Sequence, residues 1–153
     1  MTEHYYSDDR TSHPGRSMSR PGWDEWALGI ATAVATRADC TRSRVGAVIL
    51  DRDGHIVATG YNGTPGRRED GCLTAGACTR GTRTYAEQPA GGSYADCTAR
   101  HAEANAIGQA LMHGQAARLY KATIAVTRTP CDQCAGLIRR WDIARVVTPE
   151  ETA

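Results

Sequence analysis

Tyr120-Lys121-Ala122-Thr123-Ile124-Ala125-Val126 runs, after Thr127-Arg128-Thr129, into Pro130-Cys131-Asp132-Gln133-Cys134-Ala135. The first stretch reads as a strand. The second reads as a helix start, because proline suits the first helical turn, where its missing N–H has no partner to lose. Upstream, Ala102, Ala106, Ile107, Ala110 and Leu111 recur at helical spacing behind His101, so a second helix is predicted to open at that histidine. Val45 to Leu50 and His55 to Thr59 flank Asp51-Arg52-Asp53-Gly54 and predict a hairpin. Trp23, Trp26, Ala27, Ile30, Ala31, Val34 and Ala35 predict a first helix running to about Ala38, and Ala144 to Val147 a short fourth strand. Strand-helix alternation after the hairpin implies a three-layer α/β/α domain with a mixed sheet.

The chain has 153 residues, enough for one domain with one hydrophobic core. Residues 1–20, rich in Ser, Arg, Asp, Gly and Pro, are expected to form a flexible arm, and residues 21–153 a single domain. The formal net charge is +1. Such a balance, with no basic stripe, argues against a long nucleic-acid partner, though it leaves room for a pocket that takes one phosphate. No apolar run is long enough to span a membrane, and the polar start is unlike a secretory signal. Six cysteines without an export signal fit metal binding in a reducing cytoplasm better than a disulfide framework.

His101, Cys131 and Cys134 together offer one imidazole and two thiolates. Three such donors suit a catalytic Zn²⁺ with an open fourth position, whereas a structural site uses four protein ligands. Cys131 and Cys134, three apart on a helix, face the same way. The metal is expected between two helix N-termini, whose positive ends favour thiolate. Glu103, two residues from a ligand, is left over as a base for water at the metal. It is needed, because two thiolates cancel the formal charge of Zn²⁺, and acidifying water to near neutrality is worth roughly 12 kcal/mol, from about nine pKa units. A Cys-x-x-Cys alone also occurs in zinc ribbons and redox proteins; the ordered pair of motifs at two helix starts is more specific.

Residues 64–99 form a long segment rich in Gly, Thr, Arg and Ala with no hydrophobic period. Segments of that kind are usually functional, disordered or tied down. This one contains Cys72, Cys78 and Cys97, and Cys40 lies just before the first strand. The four can complete a closed tetrahedral site, a second, structural zinc. The alternatives are free thiols, or a set in which water, a histidine or a carboxylate replaces one cysteine.

The pattern His-x-Glu followed by Pro-Cys-x-x-Cys resembles the signature of zinc-dependent nucleobase deaminases. A narrower likeness rests on Arg20-Pro21-Gly22-Trp23-Asp24-Glu25-Trp26, Cys40-Thr41-Arg42-Ser43-Arg44-Val45-Gly46-Ala47-Val48-Ile49 and Gly60-Tyr61-Asn62-Gly63-Thr64-Pro65. With Cys97 and His101-Ala102-Glu103-Ala104-Asn105-Ala106-Ile107, these resemble the deoxycytidylate (dCMP) deaminase family from about Arg20 to Val147. The resemblance implies a cytidine-deaminase-like fold, assembly into homo-oligomers (a hexamer or dimer), and hydrolysis of dCMP to dUMP and ammonia. It also implies that Asn62 contacts the sugar, that the Ala102 backbone helps read the base, and that the cysteine-bearing insertion carries the extra metal seen in some members. Family members continue past the fourth strand, so the fold is expected in a C-terminally shortened form.

Arg42, Arg44, Arg67 and Arg68 are candidate phosphate partners, since a guanidinium offers forked donors. Arg128 stands where uncharged residues are frequent in the family, and would bind phosphate from a new direction or adapt the site to another cytosine compound. Two other readings stay open. One is a deaminase of a nucleoside, free base or modified cytosine; the other is a non-catalytic zinc-stabilised assembly or regulatory protein. Neither a polynucleotide substrate nor a membrane partner is expected.

Overall fold

The structure is a computed structural model and describes residues 20–63, 72, 78, 80, 81, 83–89, 94, 97 and 99–149. The arm predicted for residues 1–20 therefore lies, except for Arg20, outside the described residues, as do Arg67, Arg68 and much of the 64–99 insertion.

Three helices and four strands occur among these residues. They are α1 (Trp23–Ala35), β1 (Gly46–Leu50), β2 (Ile56–Tyr61), α2 (Ala102–Met112), β3 (Thr123–Val126), α3 (Asp132–Arg140) and β4 (Arg145–Val147). A 3₁₀ turn, Ala116–Leu119, precedes β3. The sheet order is β2-β1-β3-β4. β1 is antiparallel to both β2 and β3, and β3 is parallel to β4, so the sheet is mixed as predicted.

Every residue of β1 is buried, as a strand covered on both faces must be. Ala47 and Ile49 face α2 and α3, sharing a core with Ala106, Ile107, Ile124, Val126 and Ile138. Val48 and Leu50 face α1 and join Ala27, Ala31, Ala125 and Val147. The single period-2 strand thus splits the apolar residues into two cores and sets the α/β/α layering.

The helical stripes are narrower than the sequence suggests. In α1 only Ala27, Ala31 and Ala35 are buried, and Trp23 is 61% exposed, its ring set edge-on to Trp26. Small side chains let the helix lie close on the sheet, which leaves no room beneath it for an indole. In α2, Ala102, Ala106, Ile107 and Ala110 are buried but Leu111 is not. α1 also ends three residues before the predicted Ala38, where Thr36 bends back to donate its hydroxyl to the Ala33 carbonyl. β3 starts at Thr123 rather than Tyr120, because Lys121 adopts a left-handed backbone (φ 57°) and donates its N–H to Asp142 instead of the sheet.

The hairpin forms on the predicted turn. Gly54, at φ 83°, donates its N–H to the Asp51 carbonyl, and the Asp51 carboxylate accepts the N–H groups of Asp53 (3.0 Å) and His55 (2.9 Å). Its other oxygen takes Arg118 Nε (3.0 Å) and Nη2 (2.5 Å), tying the turn to the 3₁₀ segment. Burial alone would raise the Asp51 pKa, but Arg118 and the two N–H donors outweigh it and hold the carboxyl at about 2.

β2 and β3 finish at the end of the sheet where β1 begins, so Val45, Asn62 and Thr127 meet there: Asn62 N–H donates to the Val45 carbonyl, and Thr127 N–H to that of Gly46. Both α2 and α3 begin at this same end. α2 is seated directly on β2. A Cβ at Gly60 would lie 2.3 Å from the Ala102 carbonyl oxygen and 2.3 Å from the Ala106 nitrogen, so only glycine admits the first turn of α2 at this distance. Asn105 Nδ2 then donates to the Tyr61 carbonyl at 2.7 Å and fixes the helix along the strand.

Gly60→Ala is expected to cost about 1–3 kcal/mol in thermal unfolding, because backbone cannot yield as a flexible side chain would. Gly29→Ala, in open space on α1, should instead stabilise by up to about 1 kcal/mol. Because the folded pKa of Asp51 is depressed, its contribution is present above the ordinary carboxylate pKa and lost as pH falls. In pH-dependent melts, the Tm deficit of Asp51→Asn relative to the unsubstituted chain should be widest above roughly pH 5 and close between roughly pH 4 and 2.

Candidate active site

His101 is the N-cap residue of α2 and Cys131 the N-cap residue of α3, both with extended backbones and neither spending its side chain on capping its own helix. Cys134 lies one turn into α3 and is buried. The three side chains converge: His101 Nδ1 is 3.5 Å from Cys131 Sγ and 3.3 Å from Cys134 Sγ. All donor atoms of the set lie within 4.8 Å of one another. The nitrogen that faces the sulfurs is Nδ1, which the sequence could not specify.

Glu103 is 4% exposed, a buried carboxylate in the first turn of α2, close enough to Cys134 to act on its ionisation. Burial first, and then the negative charges of Glu103 and Cys131, push the Cys134 thiol far above the usual thiol range. Two thiolates beside a carboxylate in so dry a place call for a cation, and the soft, borderline donor set suits Zn²⁺. The helix N-termini add positive ends that a bare thiol pair would not need.

A cavity of about 400 Å³ opens beside this set, lined by His101, Ala102, Glu103, Cys131 and, across from them, Asn62 and Arg128. Asn62 is 9% exposed. Its Oδ1 accepts the Val45 N–H at 2.7 Å and its Nδ2 donates to the Ser43 carbonyl at 2.8 Å, so each end of the amide has used one position on backbone. The other hydrogen and lone pair remain for a ligand to meet.

The arginines separate. Arg42 reaches the cavity, but its guanidinium is engaged by the carbonyls of Arg80 (2.8 Å), Arg83 (3.1 Å) and Gln88 (2.7 Å) and stacks 4.2 Å from the centre of the Tyr85 ring. These contacts tie it to the insertion. Arg44 is not brought to the cavity; it is exposed and reaches the Thr36 carbonyl at 3.5 Å. Arg128 is at the cavity, exposed, and donates to Ser43 Oγ at 3.3 Å.

Cys40, Cys78 and Cys97 border the same cavity, and Cys72 hydrogen-bonds Cys78. Cys78 Sγ also accepts the Gly81 N–H at 3.2 Å. Burial raises the Cys78 thiol, but the Gly81, Thr41 and Cys72 hydrogen bonds outweigh it and bring it below its ordinary value. Burial pushes Cys97 up, and Cys40 and Cys78 add to that. The four cysteines are neighbours, but they are not drawn to within 4.8 Å as the His101 set is. Among the described residues the other set that close is Asp51, Asp53 and His55, whose Asp51 is already bound to Arg118.

Residue-by-residue reading missed Arg80, Tyr85 and Tyr94, all of which border the cavity. A signal existed: Tyr85 and Tyr94 are the two aromatic residues in a segment otherwise without a hydrophobic period.

An α/β/α sandwich whose helix starts converge on one imidazole and two thiols, with a carboxylate buried alongside, falls in the class of zinc-dependent hydrolytic deaminases. Residues 21–150 match the sequence profile of the cytidine and deoxycytidylate deaminase zinc-binding region. The chain belongs to that family. It is 46% identical over 139 residues to the deoxycytidylate deaminase of Mycobacterium phage D29, covering 88% of this chain and all of that protein. It is 36% identical to the deoxycytidylate deaminase of Saccharomyces cerevisiae, over 85% of this chain and 38% of that longer protein. In fold it is similar to the dCMP deaminase of cyanophage S-TIM5, solved in complex with dCMP and dUMP, with a TM-score of 0.62 at 23% identity over 84% and 81% of the two chains. No helix among the described residues is long and apolar enough to cross a membrane.

Zinc at about 100-fold over its Kd is expected to add about 2.7 kcal/mol to stability, read as a Tm rise when metal is restored to chelator-stripped protein. A Cys134→Ala protein should show no such rise from this site.

Proposed function

We propose that this chain is a deoxycytidylate deaminase, hydrolysing dCMP to dUMP and ammonia. The observation that carries the reading is Glu103: a carboxylate 4% exposed, neither capping its helix nor paired with a cation among its described contacts, beside a three-donor metal site on a nucleotide-sized cavity. The full-length match to the phage D29 deoxycytidylate deaminase supports the substrate.

Zinc held by His101, Cys131 and Cys134 supplies Lewis acidity that makes water a nucleophile near neutral pH. Glu103 takes a proton from the attacking water and passes it to the ring nitrogen next to the carbon under attack. It carries the second water proton to the departing amino group, which leaves as ammonia. One carboxylate can carry both protons because it is held in the first turn of a helix seated on β2. The Ala102 backbone, at the cavity wall, faces the base, and Asn62 offers its remaining donor and acceptor to the sugar. Arg128 is the phosphate partner in this reading. Arg42 is committed to three carbonyls and Arg44 lies outside the cavity, whereas Arg128 is exposed at its rim.

The remaining cysteines, Cys40, Cys72, Cys78 and Cys97, hold a structural zinc in this proposal, supported by their adjacency and by the N–H donated to Cys78. Residues 21–153 act as one domain, and the protein works in the cytoplasm as a homo-oligomer.

The test is deamination of dCMP, CMP, dCTP, deoxycytidine and cytosine by the zinc-loaded protein, followed by mass spectrometry. dCMP is expected to turn over well above deoxycytidine, and Glu103→Gln to keep its zinc while kcat falls about 10²–10⁴-fold. Equal turnover of deoxycytidine would replace the nucleotide reading with a nucleoside one, and full activity in Glu103→Gln would remove the proton-transfer role.

A further inference from the structure

The insertion between β2 and α2 brings an aromatic ring against His101 of the metal site. Tyr94 meets the His101 imidazole in a T-shaped contact, with ring centroids 4.7 Å apart and planes at 87°. The Arg80 guanidinium carbon lies 4.4 Å from the centre of the same Tyr94 ring, and Arg80 is 4% exposed, deep burial for a cation. Arg80 is itself held. Its carbonyl accepts Arg42 Nη1 at 2.8 Å, as part of the clasp that also gathers Arg83 and Gln88.

We infer that Tyr94 is a positioning residue for His101, and that Arg80 keeps Tyr94 in place. The physical need is specific. Rotation about the bond to an imidazole ring has a broad profile, so backbone and helix position alone do not fix the ring plane that aims Nδ1 at the sulfurs. His101 also makes no capping bond to its helix that would fix the side chain. Tilting the ring about that bond would carry Nδ1 away from its place 3.3 and 3.5 Å from the two thiols. A perpendicular aromatic neighbour narrows the ring planes open to the imidazole, and a cation over that neighbour's ring holds it there. The chain Arg42, Arg80, Tyr94, His101 therefore carries the order of the insertion into the aim of one ligand atom. Outer-shell partners of metal-binding histidines act in this way on affinity.

This inference rests on His101 being a zinc ligand, and the experiment separates the two. Zinc transfer to a chromogenic chelator is followed for the wild type, His101→Ala, Tyr94→Leu, Tyr94→Phe and Arg80→Met, with Tm and near-ultraviolet circular dichroism confirming that each is folded. The zinc lost in His101→Ala identifies the site. Tyr94→Leu is expected to weaken that zinc about 10–100-fold, Tyr94→Phe, which keeps the ring, to stay within about threefold of wild type, and Arg80→Met to fall between them. If His101→Ala releases no zinc, the ligand reading fails and the inference with it. If His101→Ala loses the zinc while Tyr94→Leu binds it as tightly as wild type, the positioning role alone is overturned. A raised KM for dCMP in Tyr94→Leu with unchanged zinc affinity overturns it too, and would make Tyr94 a substrate contact.

Discussion

The structure depends on one constraint: two helices must begin at the same end of the sheet, close enough for side chains from both starts to share a single point. β2 and β3 are both antiparallel to β1, so their ends lie side by side, and the helices that follow them open at one place. Gly60 sets how deeply α2 sits on β2, since any larger residue would meet the Ala102 and Ala106 backbone. The distance between the two helix starts that carry His101 and Cys131 is thus set by packing beneath the site, in a core of alanines and β-strand isoleucines. Small residues are what permit this precision, because they let helices approach the sheet with few rotamers left to vary.

Charge is concentrated by the same geometry. Cys131, Cys134 and Glu103 place three potential anions around one imidazole in a buried region. A divalent cation and the two helix N-termini would balance them. That imbalance makes the site hard to satisfy without metal. Stability and chemistry draw on the same electrostatics.

The arginines show how context divides one residue type among different tasks. Arg118 locks the hairpin through Asp51, Arg42 clasps the insertion through carbonyls and Tyr85, Arg80 lies buried on Tyr94, and Arg128 stands exposed at the rim. A guanidinium has five donors on a rigid fork, so it can tie several backbone carbonyls that belong to no strand or helix. Among the described residues at the insertion, Arg42 and Arg80 each lie over a tyrosine ring, and Arg42 gathers three carbonyls.

What the sequence by itself determined is what short periods encode. The four strands, the hairpin turn, the helix start at His101, a helix just past Pro130 (which itself lies outside it, the first helical residue being Asp132), and the metal-binding character of His101, Cys131 and Cys134 were legible, because a period of two or of three to four residues places side chains on one face whatever the rest of the chain does. The tertiary structure alone decided the rest: that Nδ1 is the nitrogen aimed at the sulfurs, that Trp23 and Leu111 stay outside the core, that Arg42 is spent on carbonyls, and that Tyr94 and Arg80 stand behind His101. These are contacts between residues separated by many positions, and no local period records them. They follow from where the sheet order brings distant segments together, and the partner a polar side chain finds there sets its role.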